Sequence, residues 1–182
     1  MILSQLESFI THPKRYILLR GKYNYPKFTL LCLALATSPV LTETNAGQFN
    51  AIALFSITFV IYIFFLAIQS MVTDFFAQLL KFKANSLNLF LWLGIGLLPL
   101  ALLMPINILS QRLSPNFYFI WDISTFIIFL SVLYLHILSV KTLYQTSTKK
   151  AIVIYFLPII SFIGFVLISA ILVSLLSIFL RF

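Results

Sequence analysis

Asp122 and His136 stand 14 positions apart inside one apolar run. On a helix of about 3.6 residues per turn they share nearly one face, and Thr125 and Ser139 lie close to it. A carboxylate, hydroxyls and an imidazole on one face are the ingredients of a polar track for a proton or small solute, and such residues in a membrane span are a functional hypothesis by default. At about 1.5 Å per residue, however, the acid and the imidazole are about 21 Å apart, too far for direct transfer. A hydrated Asp122 near one rim and a neutral His136 bonded to a neighbouring helix account for the same residues structurally. Asp74 is a further candidate, expected to be a solvated carboxylate near the inner rim and within reach of a lysine.

Gly94, Gly96, Pro99, Pro105 and Asn107 crowd into a third candidate region. Each proline removes a backbone donor and predicts a kink, and a broken helix of this kind can offer freed carbonyls to a substrate. Kinks are also ordinary packing devices, and no second broken segment mirrors this one, so packing is the expected role. Catalytic templates fail. Two histidines, His12 and His136, and four scattered acids give no His-x-x-x-His spacing, and the chain has no Cys-x-x-Cys, phosphate-cradling glycine loop or Gly-x-Ser-x-Gly elbow. No catalytic, cofactor-binding or metal-ligating residue is expected, and no cofactor. The single cysteine, Cys32, lies in an apolar run and reads as a packing residue.

The elements that must position these residues are written in the composition. Over 182 residues, 62% are hydrophobic and only 9% charged, and the mean hydropathy is +1.09. Apolar runs of this length match the ~20 residues that cross about 30 Å of hydrocarbon as helix, so the bilayer is the solvent. The spans predicted are about 28–44, 51–80, 87–109, 119–140 and 151–180. The fold class is all-α, a polytopic transmembrane bundle of five helices. The first run is short, and charge parity supports it: two basic clusters on one side of the membrane require an even number of crossings between them. Past the second run, Ser70, Asp74, Gln78 and Lys81 fall on one face, opposite Phe75, Phe76, Leu79 and Leu80, which predicts a helix emerging with one wet face. The last run must tilt, kink at Pro158 or protrude, and its Ser161, Gly164, Ala170, Ser174 and Ser177 offer small surfaces for helix contact.

Residues 1–27 form a separate arm. Ile2, Leu3, Leu6, Phe9 and Ile10 recur at helical spacing, and Ser4 with Glu7 has the form of a capping box, predicting a short amphipathic helix at the membrane interface. Lys14, Arg15, Arg20, Lys22 and Lys27, interleaved with tyrosines, suit an anionic membrane surface. A cleavable signal is not expected, because no early basic residue precedes a short apolar core.

The formal net charge of +8 follows topology: basic residues punctuate the ends of apolar runs, with none of the stripes or motifs of nucleic-acid binding. Five crossings with a cytoplasmic N-terminus put ten lysines and arginines inside and only Arg112 and Arg181 outside, as the positive-inside rule requires, leaving the C-terminus outside.

Three stretches resemble the Yip family, multi-spanning membrane proteins that include eukaryotic Rab-GTPase-interacting members and small bacterial relatives. They are Phe9-Ile10-Thr11-His12-Pro13-Lys14-Arg15, the proline-bearing Leu97-Leu98-Pro99-Leu100, and the closing stretch from Val140-Lys141 through Thr146-Ser147-Thr148-Lys149-Lys150-Ala151 into a long last helix. The resemblance implies a five-helix bundle with a cytoplasmic N-terminus, in a bacterial inner membrane. The chain lacks the extended N-terminal region and Asp-Leu-x-Gly-Pro motif of the eukaryotic members, so GTPase binding is not expected. The function expected is a non-enzymatic scaffold, trafficking or membrane-organising role, through the lipid bilayer, a membrane-protein partner or a homo-oligomer. The alternative is a small transporter or channel using the kinked third span and polar residues of the fourth.

Overall fold

The computed structural model describes residues 26–43, 48–111 and 118–179. The interfacial helix expected at the N-terminus, together with Lys14, Arg15, Arg20, Lys22, Arg112 and Arg181, lies outside them. Among the described residues every regular element is helical. They are α1 (Pro26–Thr37), α2 (Val40–Glu43), α3 (Gln48–Leu79), α4 (Ser86–Gly96), a 3-10 turn (Leu98–Leu102), α5 (Leu103–Ser110), α6 (Tyr118–Leu143) and α7 (Thr148–Phe179).

Among the described residues four stretches are long and apolar enough to cross a membrane: Ala51–Leu79, Ser86–Ser110, Phe119–Leu143 and Thr148–Leu172. This is an integral membrane protein by helix length and composition. Helix α6 runs on to Leu143 and α7 begins at Thr148. The apolar stretch Pro26–Thr42 is shorter, and within it the chain turns at Ser38 and Pro39 between α1 and α2. Proline brings no N–H to that turn.

Inter-helix contacts give the directions. Thr29 near the start of α1 donates to the carbonyl of Leu91 in α4, and Thr42 in α2 meets Asn107 in α5. The α1–α2 segment thus runs alongside α4–α5 in the same sense. Gly94 makes the close approach possible: a Cβ there would stand 2.5 Å from Thr29 Cγ2. The third span is broken where its prolines predict. After Gly96 the chain tightens into the 3-10 turn around Pro99, and Pro105 falls in the first turn of α5, where a missing donor costs little.

This broken span is the centre of the bundle, with Leu91 to Leu97 all buried. Half of its most apolar stretch is buried, against 6% for that of α3 and 17% for that of α7. Large apolar side chains of those outer helices, among them Phe64, Phe65, Ile160 and Phe165, face outward, as expected where lipid is the solvent and the helix interior is the scarce environment.

Two turns at one end share an unusual cap. Lys81 has φ 68° and Gln145 φ 49°. Around each, the next residue's N–H bonds five positions back, Phe82 to Ala77 and Thr146 to Lys141, while the left-handed residue bonds three back. These are Schellman caps built without the usual glycine. They aim Phe82 and Tyr144 at each other, with ring centroids 5.7 Å apart, so the α3–α4 and α6–α7 connections abut.

Candidate functional site

The polar residues within the apolar bundle gather into three separate knots. The first closes the end where the two Schellman turns meet. Asp74 is buried, only 3% exposed. Its Oδ1 accepts from the backbone N–H of Asn85 at 2.8 Å and from the Tyr144 hydroxyl, and its Oδ2 accepts from the Gln78 amide at 2.9 Å. The carboxylate therefore ties the last turns of α3 to the start of α4 and the end of α6. Burial, followed by the hydrogen bond and negative charge of Asp74, pushes the Tyr144 phenol above its ordinary pKa.

Two expectations are corrected here. Asp74 is not a solvated carboxylate beside a lysine, and of the face expected to be wet Ser70 and Asp74 are buried together with Thr73, whereas Gln78 and Lys81 at its far end are exposed, as are Phe75, Leu79 and Leu80. In a lipid solvent the polar face turns inward, where partners satisfy it, and the apolar face turns out.

The second knot lies deeper. His136 of α6 is 3% exposed, with Nε2 3.0 Å from the Leu93 carbonyl and Nδ1 3.0 Å from the Tyr155 hydroxyl of α7. A carbonyl can only accept, so Nε2 carries the proton and Nδ1 accepts from Tyr155. The Tyr155 oxygen in turn accepts from the Gln69 amide of α3 at 3.2 Å. One chain of hydrogen bonds thus links all four long spans. Gly96 lets the ring approach α4 closely, since a Cβ there would stand 2.6 Å from His136 Cδ2.

Asn107 carries the third knot at the opposite end of the bundle. Its Oδ1 accepts from the Trp121 indole of α6 at 2.8 Å, and its amide donates to Thr42 at 3.3 Å. Gln111 adds a bond to the Thr42 carbonyl at 3.0 Å.

The remaining sequence candidates are scattered. Asp122 is exposed near the start of α6 while His136 is in the core, so no contact joins the two. Ser139 bonds back to the Leu135 carbonyl, and Thr125 buries its hydroxyl without a hydrogen-bond partner, as does Thr73. Pro158 is accommodated inside α7. A Cβ on Gly164 would meet nothing within 4 Å, so this small residue of the last helix, unlike Gly94 and Gly96, serves no close contact among the described residues. Lys27 is exposed at the start of α1.

No family model, curated protein or solved structure matches the chain. Among the described residues, no group of three or more His, Cys, Asp or Glu is placed to hold a metal ion. What sequence reasoning missed is the pairing: Tyr144 and Asn85 meet Asp74, and Tyr155 meets His136 and Gln69, across separate elements of the chain.

Proposed function

We propose that this is a non-enzymatic membrane protein of Yip type, threaded five times with its N-terminus cytoplasmic, that acts by binding lipids, a partner membrane protein or a second copy of itself. One observation carries the reading: Asp74, His136 and Asn107 are each engaged by neighbouring helices, while the apolar faces of α3 and α7 are turned outward. Polar groups closed in separate knots serve the fold; uncovered apolar faces are what other molecules can meet. The threading is supported by Lys81, Lys83, Lys141, Lys149 and Lys150, all at the end where the two connections abut, whereas Asp122 begins α6 at the other end. The course of α1–α2 beside α4–α5 supports counting the short first segment as a crossing. A bacterial inner membrane as its setting follows from the family resemblance alone.

Extraction in a mild detergent followed by cross-linking tests the role. A recovered partner or oligomer is expected, and a clean monomer with no associated protein or lipid overturns it. The transporter alternative has one observation in its favour, the buried and unpartnered hydroxyls of Thr73 and Thr125. Solute flux into proteoliposomes that His136→Ala or Asp122→Asn abolishes would establish it, and flux indifferent to both removes these residues from it.

A further inference from the structure

A cleft of about 220 Å3 opens between α3 and α4, lined by Ala67, Ser70, Met71, Ser86, Leu87 and Phe90. Its floor is effectively apolar, because the Ser70 hydroxyl is engaged by the Ala67 carbonyl at 2.9 Å. Its rims, Met71 and Leu87, are 64% and 62% exposed. At less than the ~300–1,000 Å3 of sites that enclose a drug-sized molecule, it suits one flexible chain lying along the bundle.

What lies at the end of the cleft identifies that chain. From Met71, α3 continues to Leu79, a further rise of about 12 Å, and then turns through Lys81 and Lys83, both exposed. The Phe82–Tyr144 contact brings the second connection alongside, flanked by Lys141, Lys149 and Lys150. Lys141 is engaged by Thr148 at 2.8 Å. Among the described residues, Asp74 is the one acid at this end, and it is buried and committed to Gln78, Asn85 and Tyr144; Glu43 and Asp122 belong to the other end. An apolar cleft running toward exposed lysines, with no exposed carboxylate among the described residues at that end to compete, has the charge and spacing of an acyl chain joined to a phosphate.

We propose that the α3–α4 cleft binds one anionic phospholipid, an acyl chain against Ala67, Met71 and Phe90 and its headgroup on Lys81 and Lys83. The inference deepens the interaction role above by naming a lipid as ligand, and rests on that reading only for the membrane setting. Native mass spectrometry of the full chain in a neutral detergent, titrated with phosphatidylglycerol or phosphatidylcholine, tests it. One phosphatidylglycerol is expected to be retained in preference to phosphatidylcholine. The double variant Lys81→Gln/Lys83→Gln should weaken that binding about thirty-fold, from roughly five-fold per lysine, and leave phosphatidylcholine unchanged. Ala67→Phe, which fills the cleft, should weaken phosphatidylglycerol with both lysines in place. Lys149→Gln/Lys150→Gln should have little effect. Equal retention of the two lipids, indifference to Ala67→Phe, or equal losses from the two lysine pairs would overturn the site in favour of a diffuse basic surface. Partner or oligomer recovery from the same preparations reports separately on the interaction role.

Discussion

Replacing Gly96 by alanine measures how tightly the buried histidine is held. A methyl at this position would stand 2.6 Å from His136 Cδ2 and 3.2 Å from Nε2, well inside the ~3.5–4.0 Å optimum for carbon contacts. The ring has nowhere easy to go. It is fixed by hydrogen bonds of 3.0 Å on both nitrogens, and a retreat of about 1 Å would stretch either one out of the usual range. Overpacking of this kind costs about 1–3 kcal/mol, opposed by up to about 1 kcal/mol from the helix preference of alanine over glycine. With the full offset the net expectation is a loss of up to about 2 kcal/mol. Gly164→Ala is the internal control: nothing lies within 4 Å of its Cβ, so only the helix preference acts and stability should hold or rise by up to about 1 kcal/mol. Reversible unfolding in mixed micelles, followed by circular dichroism, reads both. In a His136→Ala background the Gly96→Ala penalty should vanish, because the clashing ring is gone. Equal effects of the two alanines, or a penalty that survives removal of the ring, would refute the packing account.

In the same assay, Asp74→Ala strips the acceptor from Asn85, Gln78 and Tyr144 and should cost about 2–4 kcal/mol. Asp122→Ala, at an exposed position, should stay within about 0.5 kcal/mol; similar losses from both would contradict the burial assigned to Asp74. The Tyr144 phenol has its folded pKa raised, so its contribution is complete below the unfolded value of about 10 and is lost as pH climbs past it. Wild type should therefore lose stability relative to Tyr144→Phe in that alkaline range, and a difference constant with pH would refute the assignment. Gln145→Gly relieves a left-handed backbone at φ 49° and should stabilise by about 1 kcal/mol, whereas a loss would mean the Gln145 side chain matters more than its backbone.

The spans were legible because apolar runs of bilayer length leave few alternatives, and the break in the third was legible because Pro99 and Pro105 remove donors at known places. The Asp74 knot was not. Helical periodicity groups Ser70, Asp74 and Gln78 on one face but does not say which way that face points, and the wet-face reading applies the logic of a protein in water. His136 was legible as a residue in need of a partner, yet its partners came from elsewhere: Tyr155 lies 19 positions on in α7 and the Leu93 carbonyl 43 positions back in α4, and no spacing rule connects different helices. The turns at Lys81 and Gln145 were invisible because the usual glycine of such caps is absent.

Lipid is as apolar as leucine, so burying leucine between helices in a membrane gains little, and the register of this bundle must come from contacts that lipid cannot replace. Two kinds are present. Gly94 and Gly96 bring α1 and α6 onto the face of α4, and the three knots pin the helices at successive depths: Asp74 at the lysine-bearing end, His136 further in, Asn107 at the opposite end. α7 is held differently. Its buried anchors, Ala151, Ile154 and Tyr155, all fall within its first turns, and from Ile159 to Leu172 none of its residues is buried. The first half of α7 is thus locked to the bundle through Tyr155, while the described side chains from Ile159 to Leu172 add no buried anchor. Loosening the His136–Tyr155 bond should therefore disturb α7 more than any other helix, because no other described knot holds it.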